Sequence, residues 1–522
     1  MHDSARAPAI DRVRLAELVA ALSLGVDLGF GQPMEHVLRE CVIALRLADR
    51  VGMDDRDRFV VYYSALLVNV GCHSDAHEQA KWFGDDIALK STKYTYDMRS
   101  LRGAIASLRL IGSGSPPLHR FRVGLEFALR GHREVDAMIH THAQIAQSLA
   151  RQLGLDDKVC ESVSAAYERW DGKGWPGTLA GEQIPLPARL IQLAEYVEVA
   201  HRVGGVGAAV TLARRRSGSQ FDPELAACLC EHADALLADL DQTRTWQAVV
   251  DVEPSLSVWL AGADIDAALV AIADFVDLKS PYTLGHARAV AELAAAAATL
   301  LGCTEDDVIT VRRAGLVHAL GRLGVSNSIW DKPGPLAAGE WERVRMYPYL
   351  TERILHQSAA LAPLGAIAAQ HRERLDGSGY PRGLSGSAIA PLARTLAAAD
   401  AYQTMREPRP HRAARAADEA ADRLRGEVRA GRLDGPSAEA VLAAAGHRPL
   451  HRHEHPAGLT SREVDVLRLL ALGLSSKEIA TRLVITPKTA RNHTEHIYAK
   501  IGSSNRASAS LFAVRHGLLP ID

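Results

Sequence analysis

Apolar positions recur at intervals of three and four along most of the chain, which places them on one face of an α-helix. Residues 34–47, reading MEHVLRECVIALRL, follow this period, as do residues 290–301, 309–320 and 413–424. Strand-like alternation is scarce. Glycine and proline gather instead in two loops, DGKGWPG from Asp171 and DGSGYPRG from Asp376, which punctuate the helical pattern. The pattern predicts an all-α protein.

The chain also repeats itself. YERWDGKGWPGTLAGEQIPLPARLIQLAEY, residues 167–196, is answered by RERLDGSGYPRGLSGSAIAPLARTLAAADAY, residues 372–402. At one constant offset Asp171 matches Asp376, Arg189 matches Arg394, Glu195 matches Asp400 and His142 falls opposite Tyr347. Upstream the offset widens: His36 matches His286 and Gly71 matches Gly321. The first copy therefore carries an insertion over residues 75–118, polar and without clear periodicity apart from an apolar patch around Leu101 to Ile111. Two related helical domains are expected, at residues 1–245 and 258–445. Residues 446–458, GHRPLHRHEHPAG, form a linker containing His447, His451, His453 and His455. Such tracts can bind metal, but a polar hinge is the plainer reading, and Pro449 and Pro456 oppose a continuous helix.

Residues 459–522 read as four short helices. Thr460 with Glu463, and Ser475 with Glu478, have the spacing of capping boxes. Val464, Leu467 and Leu470 make one apolar face, and Gly473 stops that helix. Ile479 and Leu483 face inward on the second, Pro487 starts the third, and Gly517 ends the fourth. A brief turn between the second and third helices fits a helix-turn-helix. The exposed face of the third carries Lys488, Thr489, Arg491, Asn492 and His493, with Lys500 near its end. Such a face can meet base edges while flanking cations hold phosphates. The alternative for this module is a small helical dimerisation bundle.

Composition narrows the picture. The 522 residues carry a net charge of -2, which argues against a wholly basic nucleic-acid binder. The last segment is nonetheless cationic, with nine Lys or Arg against five Asp or Glu. Six cysteines (Cys41, Cys72, Cys160, Cys228, Cys230 and Cys303) are too sparse for a disulfide scaffold. No secretory leader and no apolar stretch of membrane length is visible, so a cytoplasmic protein with no membrane partner is expected.

The C-terminal segment resembles the DNA-binding domain of LuxR/NarL-type regulators over nearly all its length. The resemblance implies that Glu463 is a structural acid and that Lys488, Thr489, Arg491, Asn492, His493 and Lys500 surround a recognition helix. It also implies binding to double-stranded DNA as a homodimer. Ala490 stands where a valine is usual.

The second copy, with PYTLGHARAV, LVHALGRLG, QHRERLDGSGYP and LARTLAAADAY, resembles an HD-GYP domain, a helical metal-dependent phosphohydrolase fold that often hydrolyses cyclic dinucleotides. The first copy resembles a more diverged relative. What the resemblance implies for ligands is mixed. Asp277, His286, His318, His371 and Asp400 stand at ligand positions, whereas Ala319, Tyr347 and Arg372 replace ligands and Arg322 replaces a lysine. At most a single divalent cation is therefore expected in the second copy. In the first, only His36 and His142 remain, and no catalysis is expected. The loops are better kept: Asp376, Gly377, Gly379, Tyr380 and Pro381 in one, Asp171, Gly172, Gly174, Trp175 and Pro176 in the other. They serve either as rigid turns or beside a phosphate-bearing ligand, with Arg322, Arg372 and Arg374 as donors.

Together these readings make the chain a transcriptional regulator. Its tandem helical region would be a non-catalytic sensor or dimerisation platform that answers a nucleotide or other small effector. A cation-dependent phosphodiesterase that also binds DNA is the second reading, and a protein-interaction module the third.

Overall fold

The computed structural model describes residues 11–95, 111–112, 117–127, 132–240, 245–254, 257–448 and 456–519. Among the described residues the protein is all-α apart from one short antiparallel ribbon, in which Arg12–Arg14 pairs with Trp259–Ala261 and Val13 lies opposite Leu260. Among the described residues no helix is long and apolar enough to cross a membrane. The chain divides into two compact units, Met1–His447 and Arg448–Asp522.

The larger unit holds both copies of the repeat around one continuous apolar core, from Val13 to Leu442. The copies correspond helix by helix: Leu15–Gly29 with Ala263–Asp277, His36–Arg50 with His286–Leu300, Asp55–Leu67 with Glu305–Val317. Local chemistry explains the matching starts. Asp54 and Thr304 occupy the same N-cap, each accepting the backbone N–H three residues on. The helix predicted over residues 309–320 forms as Glu305–Val317, its first turn set by Thr304, and that over 34–47 forms as His36–Arg50, which starts after Glu35 at a φ of 82° with no side-chain cap. Gly71 and Gly321 fix the register of both copies. A Cβ on Gly71 would lie 2.0 Å from the His142 carbonyl oxygen, and one on Gly321 2.0 Å from that of Tyr347. Only glycine permits so close a backbone crossing, and it places His142 and Tyr347 equivalently.

The insertion is more ordered than its composition suggests. Ala76–Phe83 and Asp86–Thr95 are helices, and Trp82 and Phe83 bury themselves with Ile111 and Val123 in a small core of their own. Most of the patch around Leu101 to Ile111 lies outside the described residues. The insertion also reaches the second copy. Asp86, 0% exposed, accepts hydrogen bonds from Ser326 Oγ at 2.7 Å and from the Asn327 backbone at 2.9 Å, and His77 Nδ1 lies 2.8 Å from Asp331.

Of the linker histidines, His447 packs against Tyr402, its Nε2 2.8 Å from the phenol oxygen; His451, His453 and His455 lie outside the described residues. The C-terminal unit consists of helices Ser461–Ala471, Ser476–Leu483, Pro487–Ile501 and Arg506–Arg515, with both capping boxes formed. Its separate core gathers Val464, Leu467, Ile479, Ala490, Ile497 and Ala509.

Candidate functional site

Three elements of the second copy converge on one polar cluster. His286 opens its helix after Gly285, which turns the chain at a φ of 73°. His318 is the C-cap of Glu305–Val317, and Asp400 lies inside Pro391–Arg406. All three are 0% exposed. One ligand atom from each lies within 4.8 Å of the other two.

The hydrogen bonds around this cluster orient its acceptors inward. His318 Nδ1 donates to the Gly315 carbonyl at 2.6 Å, and His286 Nδ1 to Glu407 at 2.9 Å. Each ring therefore keeps its lone pair on Nε2. His286 Nε2 lies 3.3 Å and His318 Nε2 3.9 Å from Asp400 Oδ1. His318 Nε2 accepts no hydrogen bond despite complete burial, and Asp400 Oδ2 meets only the Arg372 guanidinium, 3.2 Å away. Buried acceptors facing one another are costly unless a cation stands between them. Burial, with the nearby charge of Arg322, pushes His318 well below the ordinary imidazole range, so it is neutral and able to ligate. Burial alone would raise Asp400, but the Arg372 guanidinium holds it well below the usual carboxylate range. Two imidazoles and one carboxylate, with Glu407 orienting a ring from behind, fit one divalent cation.

The other expected ligands are placed differently. His371 is withdrawn by its neighbours: Nε2 accepts from the Tyr347 hydroxyl at 2.6 Å, and Nδ1 donates to the Ala368 carbonyl at 2.6 Å. Burial pushes it down to about 3. Asp277 Oδ2 accepts the Ala287 backbone N–H at 2.8 Å, while its Oδ1 has no partner and burial raises the group to about 6. Arg372 fills the remaining side, its Nε donating to Tyr347 at 2.9 Å and its Nη2 lying 3.2 Å from Asp400 Oδ2.

In front of the cluster lies a cavity of about 720 Å³, lined by Asp277, Arg322, Trp330, Tyr347, Arg372 and Tyr380 among others. Arg374 lines a different cleft, with its guanidinium donating to the carbonyls of His371 and Glu373. The two glycine loops are built alike. A Cβ on Gly174 would meet the Arg169 nitrogen at 2.5 Å, and one on Gly379 the Arg374 nitrogen at 2.4 Å. Buried Glu168 and Glu373 hold the loops shut by accepting backbone N–H groups, from Thr178 and Arg382 respectively at 2.8 Å. Asp376 caps its own turn through Ser378, and Asp171 does so through Lys173. Only Tyr380 of these loop residues borders the cavity. Glu168 and Glu373 were legible in the repeat, since they match at the constant offset.

The first copy gathers His36, Glu40 and Glu195 in the same way, their ligand atoms within 4.8 Å of one another. Glu40 is invisible to the repeat but lies one turn beyond His36 on the same helix. Here Lys93, brought by the insertion, lies 2.6 Å from Glu195, and Tyr94 donates to Glu195 at 3.0 Å. His36 is held by Glu198 at 2.5 Å and by the Tyr94 hydroxyl at 3.1 Å. Neither Glu40 oxygen has a partner, and burial pushes this carboxyl well above its usual range, so it stays protonated. His142 instead contacts Asp75 at 2.6 Å.

In the C-terminal unit Lys488, Arg491 and Asn492 are exposed and Thr489 and His493 half-buried along one helix. Lys500 has an internal role: its ammonium lies 2.7 Å from Glu463 and donates to the Gly458 carbonyl at 3.1 Å. That pair anchors the third helix to the first. Ile479 is buried in the core, and Gly473 and Gly517 turn the chain at φ of 97° and 62°.

Comparison with known proteins agrees with this geometry. The HD-domain family matches residues 132–225 and 271–436, and the luxR family of bacterial regulatory proteins matches residues 457–513. The chain is 31% identical over 410 residues to the 3'3'-cGAMP-specific phosphodiesterase 3 of Vibrio cholerae serotype O1, covering 78% of this chain and 89% of that protein. It is 33% identical over 203 residues to the 3'3'-cGAMP-specific phosphodiesterase 1 of the same organism, covering 39% and 45%. A crystal structure of a cyclic GMP-AMP specific phosphodiesterase from V. cholerae superposes with a TM-score of 0.59 at 26% identity, covering 84% of this chain and 99% of that one. The expectation of a non-catalytic sensor region feeding a regulator, with no enzymatic activity, is thereby corrected. Similarity to a phosphodiesterase runs through most of the chain, and His286, His318 and Asp400 converge as a ligand triad despite the replacements around them.

Proposed function

The chain belongs to the HD-domain family, and from that premise we propose that it is a metal-dependent phosphodiesterase acting on a cyclic dinucleotide, with its centre at His286, His318 and Asp400. The observation that carries this reading is the convergence of three buried, inward-facing ligands directly behind a cavity of ligand size. A divalent cation held there supplies Lewis-acid polarisation of a phosphoryl oxygen. The protein's own contribution is orientation. Gly315 and Glu407 fix the two imidazole tautomers, and Asp400 stays ionised beside Arg372. Trp330, Tyr347 and Tyr380 give the cavity flat apolar walls suited to nucleobases.

The test uses the purified full chain with Mn²⁺ and, separately, Zn²⁺ and Fe²⁺. The substrates are 3'3'-cGAMP and cyclic di-GMP, and linear product is followed by chromatography. Turnover that disappears in Asp400→Asn and His318→Gln supports the reading. No turnover of either dinucleotide with any of the three cations refutes it.

The partner assigned to the C-terminal unit is double-stranded DNA, bound as a dimer through helix Pro487–Ile501. The match to the luxR family and the exposed Lys488, Arg491 and Asn492 support this. Anisotropy with a pool of random duplexes at rising salt tests it, since attachment through phosphates weakens steeply as salt increases.

A further inference from the structure

Two guanidiniums separate the triad from the cavity, and each touches one member of it. Arg322 Nη2 lies 3.4 Å from His286 Nε2, and Arg372 Nη2 lies 3.2 Å from Asp400. Both residues line the cavity.

Arg322 is unusual for a buried cation. It is only 7% exposed, yet its Nε and Nη1 have no hydrogen-bond partner. Among the described residues no carboxylate lies within ion-pair distance of it. The rings of Trp330 and Tyr347 hold it, at 5.5 and 5.4 Å from the guanidinium carbon. Aromatic faces steady a cation but satisfy no N–H donor. Leaving two charged donors buried and unmet is costly, and proteins keep such groups where a ligand completes them. Arg372 is the complementary half. Tyr347 takes its Nε and Asp400 its Nη2, which fixes the plane of the guanidinium.

We infer that Arg322 and Arg372 form an anion subsite for a phosphate-ester group, set against the triad on the side where Tyr347 and Arg372 stand in place of metal ligands. Planar guanidiniums suit this task because they offer paired donors to two phosphate oxygens. The ligand is a phosphodiester bearing aromatic bases. The identity of that ligand rests on the phosphodiesterase reading, whereas the anion chemistry does not.

The experiment is titration calorimetry on the full chain with excess EDTA, using 3'3'-cGAMP and, separately, inorganic phosphate. Wild type binds the dinucleotide without metal, and phosphate competes with it. Arg322→Met and Arg372→Met each weaken binding at least about tenfold, the loss of one charge-assisted bond, and Arg322→Lys recovers part. Should a Met variant fail to fold, competition on the wild-type chain decides: a dinucleotide that phosphate cannot displace overturns the subsite. Unchanged affinity in either folded Met variant overturns it as well. Competitive phosphate binding in EDTA from a chain that never turns over supports the subsite while the phosphodiesterase reading fails. Turnover with Mn²⁺ that is indifferent to both substitutions keeps that reading and removes the subsite.

Discussion

The ammonium of Lys93 lies 2.6 Å from the carboxylate of Glu195. Glu195 and Asp400 are equivalent in the repeat, so each late carboxylate faces a fixed positive charge, Lys93 in the first copy and Arg372 in the second. The two cations come from unrelated places, an insertion and a replaced ligand. Electrostatics in the first copy is therefore set within the chain: an ammonium occupies the neighbourhood of a cluster that would otherwise attract a metal.

Removing that ammonium leaves a buried carboxylate without its partner. Lys93→Met is expected to destabilise the protein by about 3–5 kcal/mol in urea unfolding, and Lys93→Met combined with Glu195→Gln to recover much of it. A double variant no more stable than the single one would show that the charge pair is not the cause.

Asp86 ties the insertion to the wall of the second copy's cavity. Although burial opposes its charge, Lys279 and Lys90 hold its carboxyl below the usual range. Asp86→Ala should cost about 3–5 kcal/mol and also weaken dinucleotide binding, because Ser326 and Asn327 position Trp330. The check is unfolding and calorimetry on the same preparation.

Metal content should be one divalent cation per chain, since His371 is held by Tyr347 and Arg372 occupies the far side of Asp400. Elemental analysis after dialysis should give about one equivalent for wild type and none for Asp400→Asn. The triple variant Ala319→Asp, Tyr347→His, Arg372→His should bind more metal than wild type.

His371 makes stability depend on acid. Its folded form refuses a proton down to about 3, while an unfolded imidazole takes one near 6.5. Between these values the unfolded chain binds the extra proton, so the contribution is complete above about 6.5 and is lost as pH falls toward 3. His371→Gln should flatten the rise in stability between pH 4 and 6 by up to about 1.4 kcal/mol per pH unit. Asp277 works in the opposite sense, its raised carboxyl favouring the folded state in acid, but it is common to both proteins and cancels in the comparison.

In the C-terminal unit the two kinds of basic residue should separate. Arg491→Ala should weaken duplex binding, with a smaller salt dependence if it meets phosphate or a relaxed sequence preference if it meets a base. Lys500→Ala should act first on stability, lowering the unfolding midpoint of the unit, because its partner Glu463 is only 5% exposed.

Local chemistry written in the chain determined the helices, their caps, the repeat and the helix-turn-helix. Periodicity of three and four, Thr460 with Glu463, and the glycines at 71 and 321 each act over a few residues or recur at a fixed offset. The ligand positions His286, His318 and Asp400 were legible through the resemblance to HD-GYP domains; of the three, the repeat marks only His286, opposite His36, and Asp400, opposite Glu195. What only the tertiary structure decided is how distant side chains share charge and hydrogen bonds. Tyr347 removes His371 from the ligand set, Lys500 turns inward to Glu463, and Lys93 crosses from a polar insertion to Glu195. No pattern along the sequence encodes these pairings, because each depends on which buried donor meets which acceptor once the helices have packed. The same holds for Arg322, whose unmet donors exist only because Trp330 and Tyr347 close around it.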